Sequence, residues 1–241
     1  LSIRRQRQMC IRDRYWGMNM KVSLGKAFVF FLLCMVTFTS LFPIYWMVIT
    51  SLKYEVDIWT LPPTLIPLNP TWRNYVTAWN FQHRQLFNSI IVAGLSTALA
   101  MLLGTIAAYS FARFRFKGRT TAFFSLLIAR MIPPMALAVP FFLIMSEIHL
   151  LNTIPALIMV YTAFQTPFVI WMMRSFFIEV PEELEYSALV DGCSRLGAFA
   201  RIVLPIAAPG LAATFIFTFI MSWNEFVFAL FLTSTEAAQT M

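Results

Sequence analysis

The sequence predicts an all-α polytopic membrane protein, and three observations predict it. Of its 241 residues 59% are hydrophobic and only 12% charged, whereas a soluble domain averages about 45–50% apolar and about 25% charged. Half the usual charge cannot coat a surface that faces water. Uncharged runs long enough to cross a bilayer recur along the chain, and the basic residues gather between them.

A helix needs about 20 apolar residues to cross the hydrocarbon core. Residues 1–26 form a basic tail carrying Arg4, Arg5, Arg7, Arg12 and Arg14. Its first 17 residues lack apolar periodicity and are expected to be non-native, with Met18 or Met20 as the start. The first span, 27–50, holds no charge between Lys26 and Lys53. It is too long for a signal-peptide core and has no small-residue cleavage site, so it should remain as an anchor. Residues 51–86 read as a loop, because Pro in "LPPTLIPLNPTWRNY" denies long helices. Trp59, Trp72, Tyr75 and Trp79 suit a membrane–water interface there.

Residues 87–241 form a core with four further spans, near 87–111, 120–145, 153–177 and 208–232. The second span carries Gly94, Ala98, Gly104, Ala108 and Ala112, a small-residue face for close helix approach. The third is interrupted by Arg130, and Pro133, Pro134 and Pro140 must kink it. The fifth is interrupted by Glu225, next to Trp223 and Asn224.

Fourteen of the 18 Lys and Arg fall in the N-terminal tail, the 112–119 loop and the 178–207 island with flanking Arg174. Only Lys53, Arg73 and Arg84 fall opposite, which places the N-terminus and the island in the cytoplasm. This placement accounts for the net charge of +7 and excludes nucleic acid as a partner, leaving membrane lipid. Three widely spaced cysteines make no disulfide framework. His83 and His149 stand alone, so no metal site is expected.

The island holds most of the chemistry. Pro181 suits a first helical position, and Glu182, Glu183 and Glu185 follow where the helix dipole favours acids. Gly192 can adopt the left-handed conformation that ends a helix, and Ser194 can cap a second one. Leu196, Phe199, Ala200 and Val203 follow i, i+3, i+4, i+7 and form one apolar stripe opposite Arg195 and Arg201. The reading is a helix–Gly–helix hairpin parallel to the bilayer, whose uncovered stripe needs a partner. Gly192 and Gly197 have the separation of a phosphate-binding loop, but Ala198 and Phe199 stand where Lys and Ser/Thr are required. The chain itself is therefore expected to bind no nucleotide and to be no enzyme.

Tyr186-Ser187-Ala188, three residues, Gly192, nine residues and Ile202-Val203-Leu204-Pro205 match in spacing the cytoplasmic loop of binding-protein-dependent ABC importer permeases. That loop reads Glu-Ala-Ala, three residues, Gly, nine residues, Ile-x-Leu-Pro; here Tyr186 replaces the Glu. With "LVDGCSR", "IVLPIAAPGL", "SWNEFVFALFLT", "NSIIVAG" and "YSFARFRFKGR", the chain resembles the carbohydrate branch over residues 27–241. Within it the likeness is to the shorter, maltose-permease-like inner-membrane subunit.

The resemblance implies a type I ABC importer permease fold of six helices, five of them present and the last expected after span five. It implies a heterodimer with a second permease subunit, a cytoplasmic ABC ATPase dimer holding ATP and Mg, and an extracytoplasmic sugar-binding protein. It assigns ATPase coupling to Glu183, Glu185, Ala188, Asp191, Gly192, Leu196, Phe199, Ile202, Leu204 and Pro205. Polyols or glycerol phosphates are the alternative cargo. A translocation path or gate would involve Arg130, Trp223, Asn224 and Glu225, since intramembrane charges face a bundle interior or wet cavity. An ion-coupled transporter acting alone would also need intramembrane ionisable groups, and only Arg130 and Glu225 are available.

Overall fold

The computed structural model describes residues 24–67, 69–235 and 238–240, so positions 1–23 of the expected tail lie outside the described residues. The described elements are all helical: α1 (Leu24–Ser51), α2 (Glu55–Ile58), α3 (Arg73–Arg113), α4 (Arg119–Met131), α5 (Pro134–Glu147), α6 (Ile154–Glu179), α7 (Glu182–Val190), α8 (Arg195–Ile206), α9 (Ala208–Trp223) and α10 (Val227–Leu232). Three helices, α1, α3 and α6, are long and apolar enough to cross a membrane. Two bent pairs, α4 with α5 and α8 with α9, bring the number to five if each is one span.

The chain divides into two compact units at Ala78 and Trp79. In the first, α1 presents Phe30, Phe31, Met35 and Phe38 outward, the surface expected of a helix that faces lipid or another chain. The loop after it is organised around Lys53, which is only 3% exposed. Its ammonium donates to the Thr64 carbonyl and lies 4.9 Å from the centre of the Trp46 ring. Asn74 Nδ2 donates to the carbonyls of Ser51 and Lys53 at 3.0 and 2.7 Å. The carbonyl and the ring face offset part of the cost of burying this cation.

The expected loop over 51–86 is shorter than its sequence suggests. The last Pro of that segment is Pro70, and Thr71 Oγ1 then accepts the N–H of Arg73, opening α3 at once. At 1.5 Å per residue the 41 residues of α3 span about 60 Å, twice the roughly 30 Å of a hydrocarbon core. Its first turns, with Arg73, His83 and Arg84 exposed, therefore project beyond the apolar layer.

In the second unit α3, α5, α6 and α10 share one apolar core around Leu157, Tyr161, Phe164 and Phe228. A second core at the hairpin end joins α3, α6 and α8 around Tyr109, Met173, Phe177, Phe199 and Val203. The small-residue face of α3 is correct in its second half only: Gly104, Ala108 and Ala112 are buried, whereas Ala98 is exposed and Gly94 half-exposed. Ala93, Ser96 and Ala100 are the small residues buried in the first half.

The kink expected in the third span is a bend of 97° between α4 and α5. Ile132 and Pro133 each precede a proline and are both extended, at ψ 127° and 136°. Pro134 then opens α5. The fifth span is not continuous to 232 as the sequence suggests. It stops at Trp223 and restarts at Val227.

Candidate functional site

The hairpin begins where α6 ends. Pro181 is the cap residue of α7 and not its first turn, so Glu182, Glu183 and Glu185 occupy that turn one position closer to the helix start. The end of α7 is closed by two bonds, from Gly192 N–H to the Leu189 carbonyl (3.1 Å) and from Cys193 N–H to the Ala188 carbonyl (2.9 Å). This is the Schellman pattern, and it requires the φ of +88° that Gly192 adopts. Ser194 Oγ accepts the N–H of Gly197 at 3.1 Å and caps α8. A π-turn over Phe199–Val203 follows, in which Leu204 N–H reaches back to the Phe199 carbonyl. The wider turn absorbs Pro205, which has no N–H to return to an ordinary helical carbonyl. A 76° bend at Ala207 sends the chain into α9.

The expected apolar stripe divides in two. Leu196 is 77% exposed and Ala200 is exposed, but Phe199 and Val203 are buried against the chain's own spans. The Phe199 ring lies 4.4 Å from that of Tyr109 and 5.9 Å from that of Phe177. Phe199 therefore fastens the hairpin instead of presenting it. Ala188 is buried as well, and Ile202 and Leu204 are half-buried. The outward surface is made by Val190 (87% exposed), Leu196 and Tyr186, with Glu183, Asp191, Gly192 and Pro205 also exposed.

Glu185 also points inward. Its carboxylate accepts the Tyr109 hydroxyl at 2.7 Å and pairs with the Arg113 guanidinium. Arg113 donates in addition to the Val180 carbonyl at 2.7 Å. Sequence reasoning misses both Tyr109 and Arg113. The signal for them is weak, a Tyr and an Arg four apart on the last turns of a span.

Within the membrane, Arg130 on α4 lies inward. Its guanidinium sits 4.0 Å from the centre of the Phe164 ring, 3.2 Å from Gln165 Oε1 and 3.6 Å from Met221 Sδ. Gln165, only 1% exposed, is a further polar group that sequence reasoning misses, set inside an apolar run. Glu225 uses Oε1 to accept the N–H groups of Val227 (3.0 Å) and Phe228 (3.3 Å), capping α10. Tyr161 donates to the Glu225 carbonyl at 2.8 Å. Asn224 turns back to the Ile220 carbonyl, and Trp223 stacks on Phe219. The structure thus brings Asn224 and Glu225 to a helix break, with Arg130 held by side chains of α6 and α9 within electrostatic reach of Glu225.

The face of α9 that meets α6 is hydroxylic. Gly210, Thr214, Thr218 and Ser222 recur every four residues and are all buried, while Phe215, Ile216 and Phe217 are exposed. A Cβ at Gly210 would collide with the ring of Phe176. Thr214 and Thr218 return their hydroxyls to carbonyls one turn back, at 2.7 Å each. Spacing by four of small and hydroxyl residues is the signal that marks this face.

Residues 100–241 match the family described as binding-protein-dependent transport system inner membrane component. The chain belongs to this family. Among these permeases it is 39% identical to the sulfoquinovosyl glycerol transport system permease protein SmoH of Agrobacterium fabrum, over 90% of this chain and 77% of that protein. It is 35% identical to the diacetylchitobiose uptake system permease protein DasC of Streptomyces coelicolor, over 83% and 73%. The trehalose transport system permease protein SugB of Mycobacterium tuberculosis is 36% identical over 83% and 73%. A chain of a bacterial ABC transporter that imports the acidic polysaccharide alginate superposes with a TM-score of 0.76 at 22% identity, covering 94% of this chain and 77% of that one. That likeness gives the permease its type I importer fold. A protein of this family is an inner-membrane transport subunit.

Proposed function

We propose that this permease carries a saccharide and forms half of its membrane pathway beside a second permease subunit. A cytoplasmic ABC ATPase dimer, holding ATP and Mg, docks on the hairpin. An extracytoplasmic sugar-binding protein delivers the cargo, and the N-terminus lies in the cytoplasm. The observation that carries the docking is the outward surface of the hairpin. Val190 and Leu196, 87% and 77% exposed, flank a turn fixed by Gly192 on elements otherwise fastened inward. Apolar side chains so exposed on a rigid projection suit insertion into a groove of a partner. ATP-driven movement of that groove would displace the hairpin and with it α6 and α9, to which it is joined covalently.

The saccharide assignment rests on the relatives, whose names refer to sulfoquinovosyl glycerol, diacetylchitobiose and trehalose. Anionic saccharides are a second reading, favoured by Arg130: its hydrogen bonds go to neutral atoms of Gln165 and Met221. The Glu225 carboxylate lies close enough to offset part of this charge, and what remains in a low-dielectric layer would attract a sulfonate, carboxylate or phosphate on the cargo.

The test is co-expression with an ATPase and a second permease of the same importer class, followed by purification through a tag on this chain. The double substitution Val190→Asp with Leu196→Asp is expected to leave the chain in the membrane and to lose the ATPase. Retention of the ATPase by that variant would sink the docking assignment. Competition of uptake by neutral and sulfonated sugars separates the two cargo readings.

A further inference from the structure

We infer that Glu185, Arg113 and Tyr109 form a joint that carries movement of the hairpin into α3. This rests on the hairpin being the ATPase contact and adds the route by which its motion spreads. The hairpin is covalently continuous with α6 and α9, so those helices follow it by necessity. Helix α3 has no such bond: Arg113 and Glu185 are 72 residues apart in sequence. What ties them is a charged pair with side chains 8% and 10% exposed.

The pair is directional, and both oxygens of the Glu185 carboxylate are partnered. Glu185 accepts from Arg113 Nε and from the Tyr109 hydroxyl, 2.7 Å away, two residues one helical turn apart on α3. Arg113 holds the Val180 carbonyl at 2.7 Å, at the elbow between α6 and α7. One guanidinium therefore fixes both the elbow and α7 to the end of α3. Glu182, 3.9 Å from Arg113 and 55% exposed, adds only a screened attraction. The other arm of the hairpin is held differently, by the Phe199 and Val203 side chains in an apolar core.

A cavity of about 40 Å³ adjoins the joint, lined among others by Tyr109, Arg113, Glu185 and Arg195. That is room for about one water molecule, too little for a ligand. Its polar walls suit a joint that flexes without losing partners. Glu185, Arg113 and Tyr109 are positioning residues, acting through the hairpin and not on cargo.

The experiment uses the complete importer with its ATPase and second permease in lipid nanodiscs. Spin labels replace Leu102 on α3 and Phe217 on α9, two outward side chains 59% and 49% exposed. Their separation is measured without nucleotide and with ATP and vanadate. In the parent α3 follows the hairpin, so the separation holds. In Glu185→Gln it is expected to change on the order of 5 Å as α9 moves alone, the scale of a one-turn helix shift. An equal nucleotide-induced change in parent and variant overturns the joint. Should Glu185→Gln fail to assemble, Tyr109→Phe, which removes one bond, and Arg113→Lys, which keeps the charge but loses the guanidinium fork, decide by the same measurement. The Val190→Asp with Leu196→Asp variant serves as the docking control. If it still responds to ATP, the docking reading fails while the Glu185 comparison stands.

Discussion

The ring of Phe199, on the α7–α8 hairpin, lies 4.4 Å from the ring of Tyr109 at the end of α3, centre to centre. This contact makes the hairpin part of the membrane core and not an arm suspended from it. Phe199→Ala should therefore destabilise the chain by about 3–5 kcal/mol, seen as a lower melting temperature in detergent and less protein in the membrane. Leu196→Ala, at an exposed site, should leave the melting temperature in place and weaken recovery of the ATPase. Equal melting temperatures for the two variants would contradict the division of the stripe.

Gly192→Val tests the turn. The position has φ +88°, and nothing lies within 4 Å of the place a Cβ would occupy, so strain in the backbone is the whole effect. A non-glycine residue in the left-handed region costs roughly 1–2 kcal/mol, more for a β-branched one. The variant should stay in the membrane, bind its partners less well and hydrolyse ATP without matching uptake. Wild-type uptake per ATP in this variant would refute the role of the turn.

Gly104→Ala tests the contact between α3 and α6. The added methyl would stand 2.6 Å from Val169 Cγ1. Overpacking of this kind costs about 1–3 kcal/mol, and a thermal shift assay would read it. Gly94→Ala, with nothing within 4 Å, should be neutral or slightly stabilising through helix propensity.

Arg130→Met should leave Gln165 Oε1, in a residue 1% exposed, without the donor that the structure gives it. A buried polar group stranded in this way costs about 1–3 kcal/mol. Uptake should fall while ATPase recovery persists, and Arg130→Lys should restore part of it. Efficient labelling of Arg130→Cys by a lipid-soluble probe, with normal uptake, would place the residue on the lipid face and end its claim to the path.

Asn224→Ala separates cargo contact from architecture. Its side chain closes α9 by donating to the Ile220 carbonyl at 2.8 Å, which favours a role in shaping the break. Uptake of a panel of sugars should drop uniformly. A changed order of preference among them would instead establish direct contact.

Composition and local pattern suffice to establish a polytopic helical membrane protein, the position of the hairpin and the making of its turn. Missing charge cannot be supplied by folding, and the left-handed Gly192, the Ser194 cap and the acids at the start of α7 act within a few residues of themselves. Which side of each helix is covered is a matter of packing. Periodicity puts Leu196, Phe199 and Val203 on one stripe, but only the packing of α3 and α6 against α8 shows that Phe199 and Val203 are buried and Leu196 is not. The same holds for Glu185, an acid in a helix's first turn like Glu183, turned inward because Arg113 and Tyr109, distant in sequence, meet it there. In a bilayer both sides of a span read as apolar, so hydrophobicity cannot separate the lipid face from the core. The hydroxyl stripe of Thr214, Thr218 and Ser222, and the burial of Gln165, become legible only when neighbouring helices supply the surfaces that cover them.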